Sequence, residues 1–146
     1  MNKTLVAILA ALACWQVNAE TPLLTDLPAA QAQAKAENKI LLMDFTGSDW
    51  CPACIQFKKQ VLDSDTFQAY AAKNVVTVEL DFPDKIPQSA ELKKTNAALR
   101  DKYNIEGYPT LVALDKDGKE IGRQLGYDAT GPTVFIAKLQ SFKAGK

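Results

Sequence analysis

Ile40-Leu41-Leu42-Met43-Asp44-Phe45, then Thr46-Gly47-Ser48-Asp49, then Trp50-Cys51-Pro52-Ala53-Cys54 is the stretch that decides the fold. Its first six residues form an apolar run without alternation, broken only by Asp44. That is the pattern of a strand buried on both faces. The next four form a loop around Gly47. From Cys51 to Leu62 the spacing predicts a helix, with Cys54, Phe57 and Val61 on one stripe and Gln56, Lys59 and Gln60 facing out. Strand, loop and helix together place two cysteines, three apart, on a first helical turn.

Working outward, residues 20–28 contain proline and read as irregular. Ala29 to Asn38 is rich in Ala, Gln, Lys and Glu and predicts a helix, capped by Asp26 or Thr25 with Pro28 in its first turn. Beyond the cysteines, a helix is predicted over Asp65–Lys73 and a strand over Val75–Phe82. Pro83 to Pro87 is a loop. Ser89 to Tyr103 is helical, with Leu92, Leu99 and Tyr103 near one face. Thr110 to Leu114 is a strand, and Asp117-Gly118 is a hairpin signal that returns the chain over Glu120–Tyr127. Thr133 to Lys143 closes the chain as a helix with Phe135, Leu139 and Phe142 inward. Alternating strands and helices predict an α/β fold with parallel strands and one antiparallel edge from the terminal hairpin.

At 146 residues the chain is bounded to one domain, or one domain plus a short appendage. It is 47% apolar and 23% charged, the balance of a soluble globule. Lys+Arg and Asp+Glu are 17 each, and this zero net charge argues against nucleic acid as a partner. There is no histidine. That removes Ser-His-Asp and Cys-His nucleophile pairs and every zinc site built on imidazole.

The first residues read as an address. Asn2-Lys3 gives a positive start, and Leu5 to Trp15 is an unbroken apolar run, too short to span a bilayer. Val17-Asn18-Ala19 offers a cleavage site, so residues 1–19 are expected to be a secretory signal peptide and residues 20–146 the working domain. The alternatives are a buried N-terminal helix, or a lipid anchor on Cys14 after Ala11-Leu12-Ala13. Cleavage after Ala19 leaves Cys51 and Cys54 as the only cysteines, in an oxidising compartment where disulfides persist. The expected location is therefore exported and periplasmic.

A disulfide between Cys51 and Cys54 would be a poor staple. Closing a four-residue loop stabilises by only about 2 kcal/mol on the chain-entropy model, against about 3 for fifteen residues. Exchange suits it better. At a helix start, unpaired amides and the helix dipole favour the Cys51 thiolate, and Pro52 fits the first helical position. Cys54, one turn in, is expected to be more buried. Cys51 is then the nucleophile that attacks a substrate disulfide, and Cys54 resolves the mixed disulfide. The competing readings are a metal site and an inert pair. Two thiolates without histidine leave a zinc site half built unless a dimer or carboxylates complete it, and neither metal nor cofactor is expected.

Three motifs in this chain resemble the thioredoxin superfamily: Met43-Asp44-Phe45, Trp50-Cys51-Pro52-Ala53-Cys54 and Gly107-Tyr108-Pro109-Thr110. The stretches Phe45 to Cys51 and Glu79-Leu80-Asp81-Phe82-Pro83 look like an exported bacterial subgroup. The resemblance covers about residues 25–143. It implies a three-layer α/β/α sandwich with a central mixed sheet of about four strands and a C-terminal antiparallel hairpin. It implies that Pro109 is a cis-proline facing the cysteines, and that Tyr108, Pro109 and Thr110 belong to the segment that receives substrate peptide as an added strand. Asp44 would be the buried acid that relays a proton to and from Cys54, with a raised pKa. Asp44 is seven positions from Cys51, one more than in thioredoxin itself. An extra residue in the Thr46–Asp49 loop keeps the acid in place, whereas a shift within the strand turns it to the other face. Glu79 and Asp81 are the substitutes, and Asp49 reads as a solvated loop charge. Trp50 shields the disulfide and offers apolar contact area. Lys58 and Lys59 read as a solvated helix face.

The direction of exchange follows from less. A histidine between the cysteines is one device by which the family stabilises the reduced thiolate of a strong oxidant, and this chain has Pro52-Ala53 instead. The 127 residues after the leader leave no room for the dimerisation domain of envelope isomerases. The expectation is a monomeric reductase acting on disulfide-bearing exported proteins, with a membrane thiol reductase as electron donor. The alternatives are a weak oxidase or isomerase, and a redox-silent peptide-binding module.

Overall fold

The computed structural model describes residue 21 and residues 23–145. The predicted leader, with Cys14, lies outside the described residues. Four strands order the fold: β1 (Ile40–Thr46), β2 (Val75–Asp81), β3 (Thr110–Leu114) and β4 (Glu120–Leu125). They lie side by side as β2-β1-β3-β4. All seven residues of β1 are buried, as a central strand covered on both faces requires.

Helices cover both faces. On one side α1 (Leu27–Glu37) and α4 (Ala90–Lys102) pack on the odd-numbered residues of β1, with Ala30, Ala34, Leu99 and Tyr103 against Leu41, Met43 and Phe45. On the other, α2 (Pro52–Phe57), α3 (Asp65–Asn74) and α5 (Pro132–Ala144) pack on the even-numbered residues. There Phe57, Phe67, Phe135 and Leu139 meet Ile40 and Leu42. The period of two along one strand thus feeds two separate cores. Local signals set the ends of the helices. The Asp26 side chain accepts from the Ala29 N–H at the start of α1, and Asn38 ends that helix in the left-handed region.

The structure departs from the sequence expectations in four places. β1 and β2 are parallel, but β3 is antiparallel to β1. Leu99 and Tyr103 settle over Phe45, whose ring lies 6.1 Å from that of Tyr103. The chain therefore re-enters the sheet beside the end of β1, where Phe45 pairs with Thr110. The predicted helix from Cys51 to Leu62 is two pieces. After Phe57 it widens into a π turn over Lys58–Leu62, with Asp63 N–H donating to the Lys58 carbonyl at 2.9 Å. The wider turn lets the adjacent residues Val61 and Leu62 both be buried. The strand expected to reach Tyr127 ends at Leu125, before Gly126 at φ 75°. Finally, the irregular N-terminal segment contributes one bridge to the sheet edge. Leu24 pairs with Val78, donating to the Thr77 carbonyl and accepting from the Glu79 N–H. That bridge covers part of the open edge of β2.

Candidate active site

Cys51 is the N-cap residue of α2, and Cys54 lies one turn in. The two are joined as a disulfide, with Cα atoms 5.2 Å apart. Cys54 is 2% exposed and Cys51 5%. One main-chain amide points at each sulfur. The Cys54 N–H donates to Cys51 Sγ at 3.3 Å, and the Gly47 N–H approaches Cys54 Sγ at 3.5 Å. A helix-start amide aimed at Cys51 stabilises a thiolate there after reduction. Pro52 occupies the first turn, where a missing N–H costs nothing.

Across from the cysteines, the Tyr108–Pro109 peptide bond is cis and Pro109 is buried. The Tyr108 carbonyl oxygen lies 3.6 Å from Cys51 Sγ. The Thr110 hydroxyl is turned inward and donates to the Gly107 carbonyl at 2.6 Å. It therefore braces the turn that carries Tyr108 and Pro109.

Trp50 stands beside the pair, 47% exposed. Its indole N–H donates to the Phe82 carbonyl at 2.8 Å, and its ring meets Tyr108 edge-on at 5.9 Å. The indole lies flat across Gly47, where a Cβ would stand 2.5 Å from the ring. Gly47→Ala is therefore expected to cost about 1–3 kcal/mol of stability and to displace the indole. Denaturant unfolding and the Trp50 indole N–H resonance would show both; an unchanged pair of readings would mean the seat has slack.

The alternation of β1 places Asp44 on the α2 face, with Ile40 and Leu42 and opposite Glu79 of β2. Asp44 thus faces the side of the sheet on which α2 carries the cysteines. Asp44 is 2% exposed. Burial pushes its carboxyl up to about 8, the Glu79 and Asp81 carboxylates push the same way, and Lys58 opposes them. Glu79 is raised too, by burial first and then by Asp81. Lys58 is more than a solvated charge: it pairs with Asp63 at 2.7 Å and its field reaches buried Asp44 and half-buried Glu79.

Asp49 is not the free loop charge expected. One carboxylate oxygen accepts from the Asp84 N–H at 2.9 Å, and the other from Lys85 and Ile86 at 2.7 and 3.0 Å. These donors hold its carboxyl below the usual range. Its neighbour Ser48 binds the Asp81 carboxylate through its N–H and hydroxyl, at 2.9 and 2.6 Å. Asn96, the one buried residue of α4, donates to the Asp81 carbonyl at 3.0 Å. Sequence reading singled out neither Ser48 nor Asn96. The two segments they connect were both visible as motifs, but the pairing between them was not.

A family model for a thioredoxin-like domain matches residues 27–143. A disulfide bond reductase, DsbH, of Chlamydia pneumoniae is 36% identical over 112 residues, 77% of this chain and 67% of that protein. The thiol:disulfide interchange protein DsbD of Pseudoalteromonas atlantica is 34% identical over 98 residues, which is 67% of this chain but 15% of that much longer protein. A solved structure of a DsbH oxidoreductase superposes with a TM-score of 0.78 at 30% identity, covering 97% of this chain and 94% of the other.

Proposed function

The chain belongs to the thioredoxin-like family as a protein-disulfide oxidoreductase, and from that premise we propose that it is a monomeric disulfide reductase of the cell envelope. The observation that carries the reading is the placement of Cys51: its sulfur receives a helix-start amide and faces the Tyr108 carbonyl, while Cys54 sits beneath it. Residues 1–19 are a signal peptide in this reading, and residues 20–146 act in the periplasm. Acylation of Cys14 would tether the same domain to a membrane.

In the reduced form the Cys51 thiolate attacks one sulfur of a substrate disulfide. A Cys51–substrate disulfide forms, and the other substrate sulfur leaves as a thiolate. Cys54 then loses its proton to Asp44 and attacks Cys51 Sγ. The mixed disulfide breaks, Cys51–Cys54 closes, and the substrate leaves with two thiols and two added electrons. A carboxyl that titrates near 8 accepts and returns a proton close to neutral pH, which is what the step needs. Trp50, Tyr108 and Pro109 form the surface that receives the substrate strand, and Thr110 braces it. The electrons come from a membrane thiol reductase, and the substrates are disulfide-bearing exported proteins.

The test mixes reduced protein with a disulfide-bonded test protein in equimolar amount. Two thiols are expected to appear on the substrate for each Cys51–Cys54 disulfide formed. No transfer, with both cysteines still reduced, would overturn the reading.

A further inference from the structure

The loop between β2 and α4 is held far more firmly than an exposed loop needs. Phe82 to Gln88 contains Pro83 and Pro87, and Asp84 to Pro87 are all exposed. Yet the Phe82 N–H donates to the Thr46 carbonyl at 2.8 Å, and the Phe82 carbonyl accepts the Trp50 indole. Gln88 and Asn96 both donate to the Asp81 carbonyl. Between those anchors, Asp49 fastens Asp84, Lys85 and Ile86 to the cysteine loop. Three consecutive amides converge on its single carboxylate, two residues before Cys51. Hydrogen bonds to an ionised acceptor are the strong kind. The stretch they hold exposes Ile86 at 52%, and Trp50, 47% exposed, is tied to the same loop through the Phe82 carbonyl.

We infer that Asp49 is a positioning residue, whose carboxylate locks the Phe82–Gln88 loop beside Cys51 as a rigid lip for the polypeptide that carries the substrate disulfide. This rests on the exchange function proposed above and adds the element that selects protein over small disulfides. A protein substrate must place a stretch of chain against the lip before its disulfide reaches Cys51. A small disulfide reaches the sulfur without it. Ordering the lip in advance removes an entropy cost from docking only.

Asp49→Asn is the discriminating variant. It keeps the shape but replaces one acceptor oxygen with an NH2 group, which sets donor against donor at the loop amides. In the full chain, KM for a disulfide-bonded test protein is expected to rise about tenfold with kcat little changed. The Cys51–Cys54 potential and the rate with oxidised glutathione serve as references in both proteins. Released from Asp49, the loop is also expected to be cut by trypsin after Lys85 faster than in the wild type, with the site identified by mass spectrometry. Equal cleavage after Lys85, or an unchanged KM for the protein substrate, would overturn the inference. So would a parallel loss with glutathione, which would mark a general disturbance of the site. Wild-type protein that reduces neither disulfide would instead overturn the exchange function, and this inference with it.

Discussion

Cys51→Ser is expected to reduce disulfide exchange to background, a loss on the order of 10³-fold or more. A serine hydroxyl in the same place stays neutral, so the amide at 3.3 Å has no thiolate to stabilise. The fold should survive, because the Cys51–Cys54 crosslink closes so short a loop that its removal costs only about 2 kcal/mol. Cys54→Ser should behave differently. Cys51 still attacks, but nothing releases the product, so a covalent Cys51–substrate adduct accumulates and is visible by mass. The asymmetry comes from the structure: Cys51 caps the helix opposite Tyr108, and Cys54 lies deeper. If Cys51→Ser trapped the adduct and Cys54→Ser did not, the roles would be reversed.

Asp44→Asn is expected to stabilise the protein by about 4 kcal/mol at pH 7 and by little at pH 4. In the unfolded chain this carboxyl titrates at about 3.9. In the folded chain burial and the Glu79 and Asp81 charges raise it to about 8. Between those values the folded state holds a proton that the unfolded state has lost. Stability therefore falls as pH rises across that window, by up to about 1.4 kcal/mol per unit, and the penalty is fully developed above pH 8. Below pH 4 both states are protonated and the penalty disappears. Asparagine keeps the shape without the ionisation. Denaturant unfolding of both proteins at pH 4, 7 and 9 measures the difference. A gap that did not widen with pH would mean Asp44 ionises freely in the folded protein.

Much of this was legible in the chain because it is local. The apolar run of β1, the Asp26 cap, the Asp117-Gly118 turn and the C-x-x-C at a helix start each depend on residues within a few positions of one another. The Cys51–Cys54 pairing, the cis Pro109 and the burial of Asp44 followed from such signals read beside a family resemblance. What escaped is non-local. β3 runs antiparallel to β1, and the Phe45–Tyr103 ring contact that accompanies this joins residues 58 positions apart. The Asp49 clamp joins residues 35 to 37 apart, and an aspartate in a polar loop carries no mark of its partners. The π turn depends on how Val61 and Leu62 are both drawn into the core, which helical periodicity does not encode.

The central claim is that Cys51–Cys54 is a reducing pair, and its redox equilibrium tests that most directly. The protein would be equilibrated against dithiothreitol and glutathione buffers and the free thiols counted. A potential near about −270 mV, in the range of thioredoxin, is the predicted result and fits a reductase that draws on a dedicated electron donor. A value toward about −120 mV would make the pair an oxidant and contradict the account.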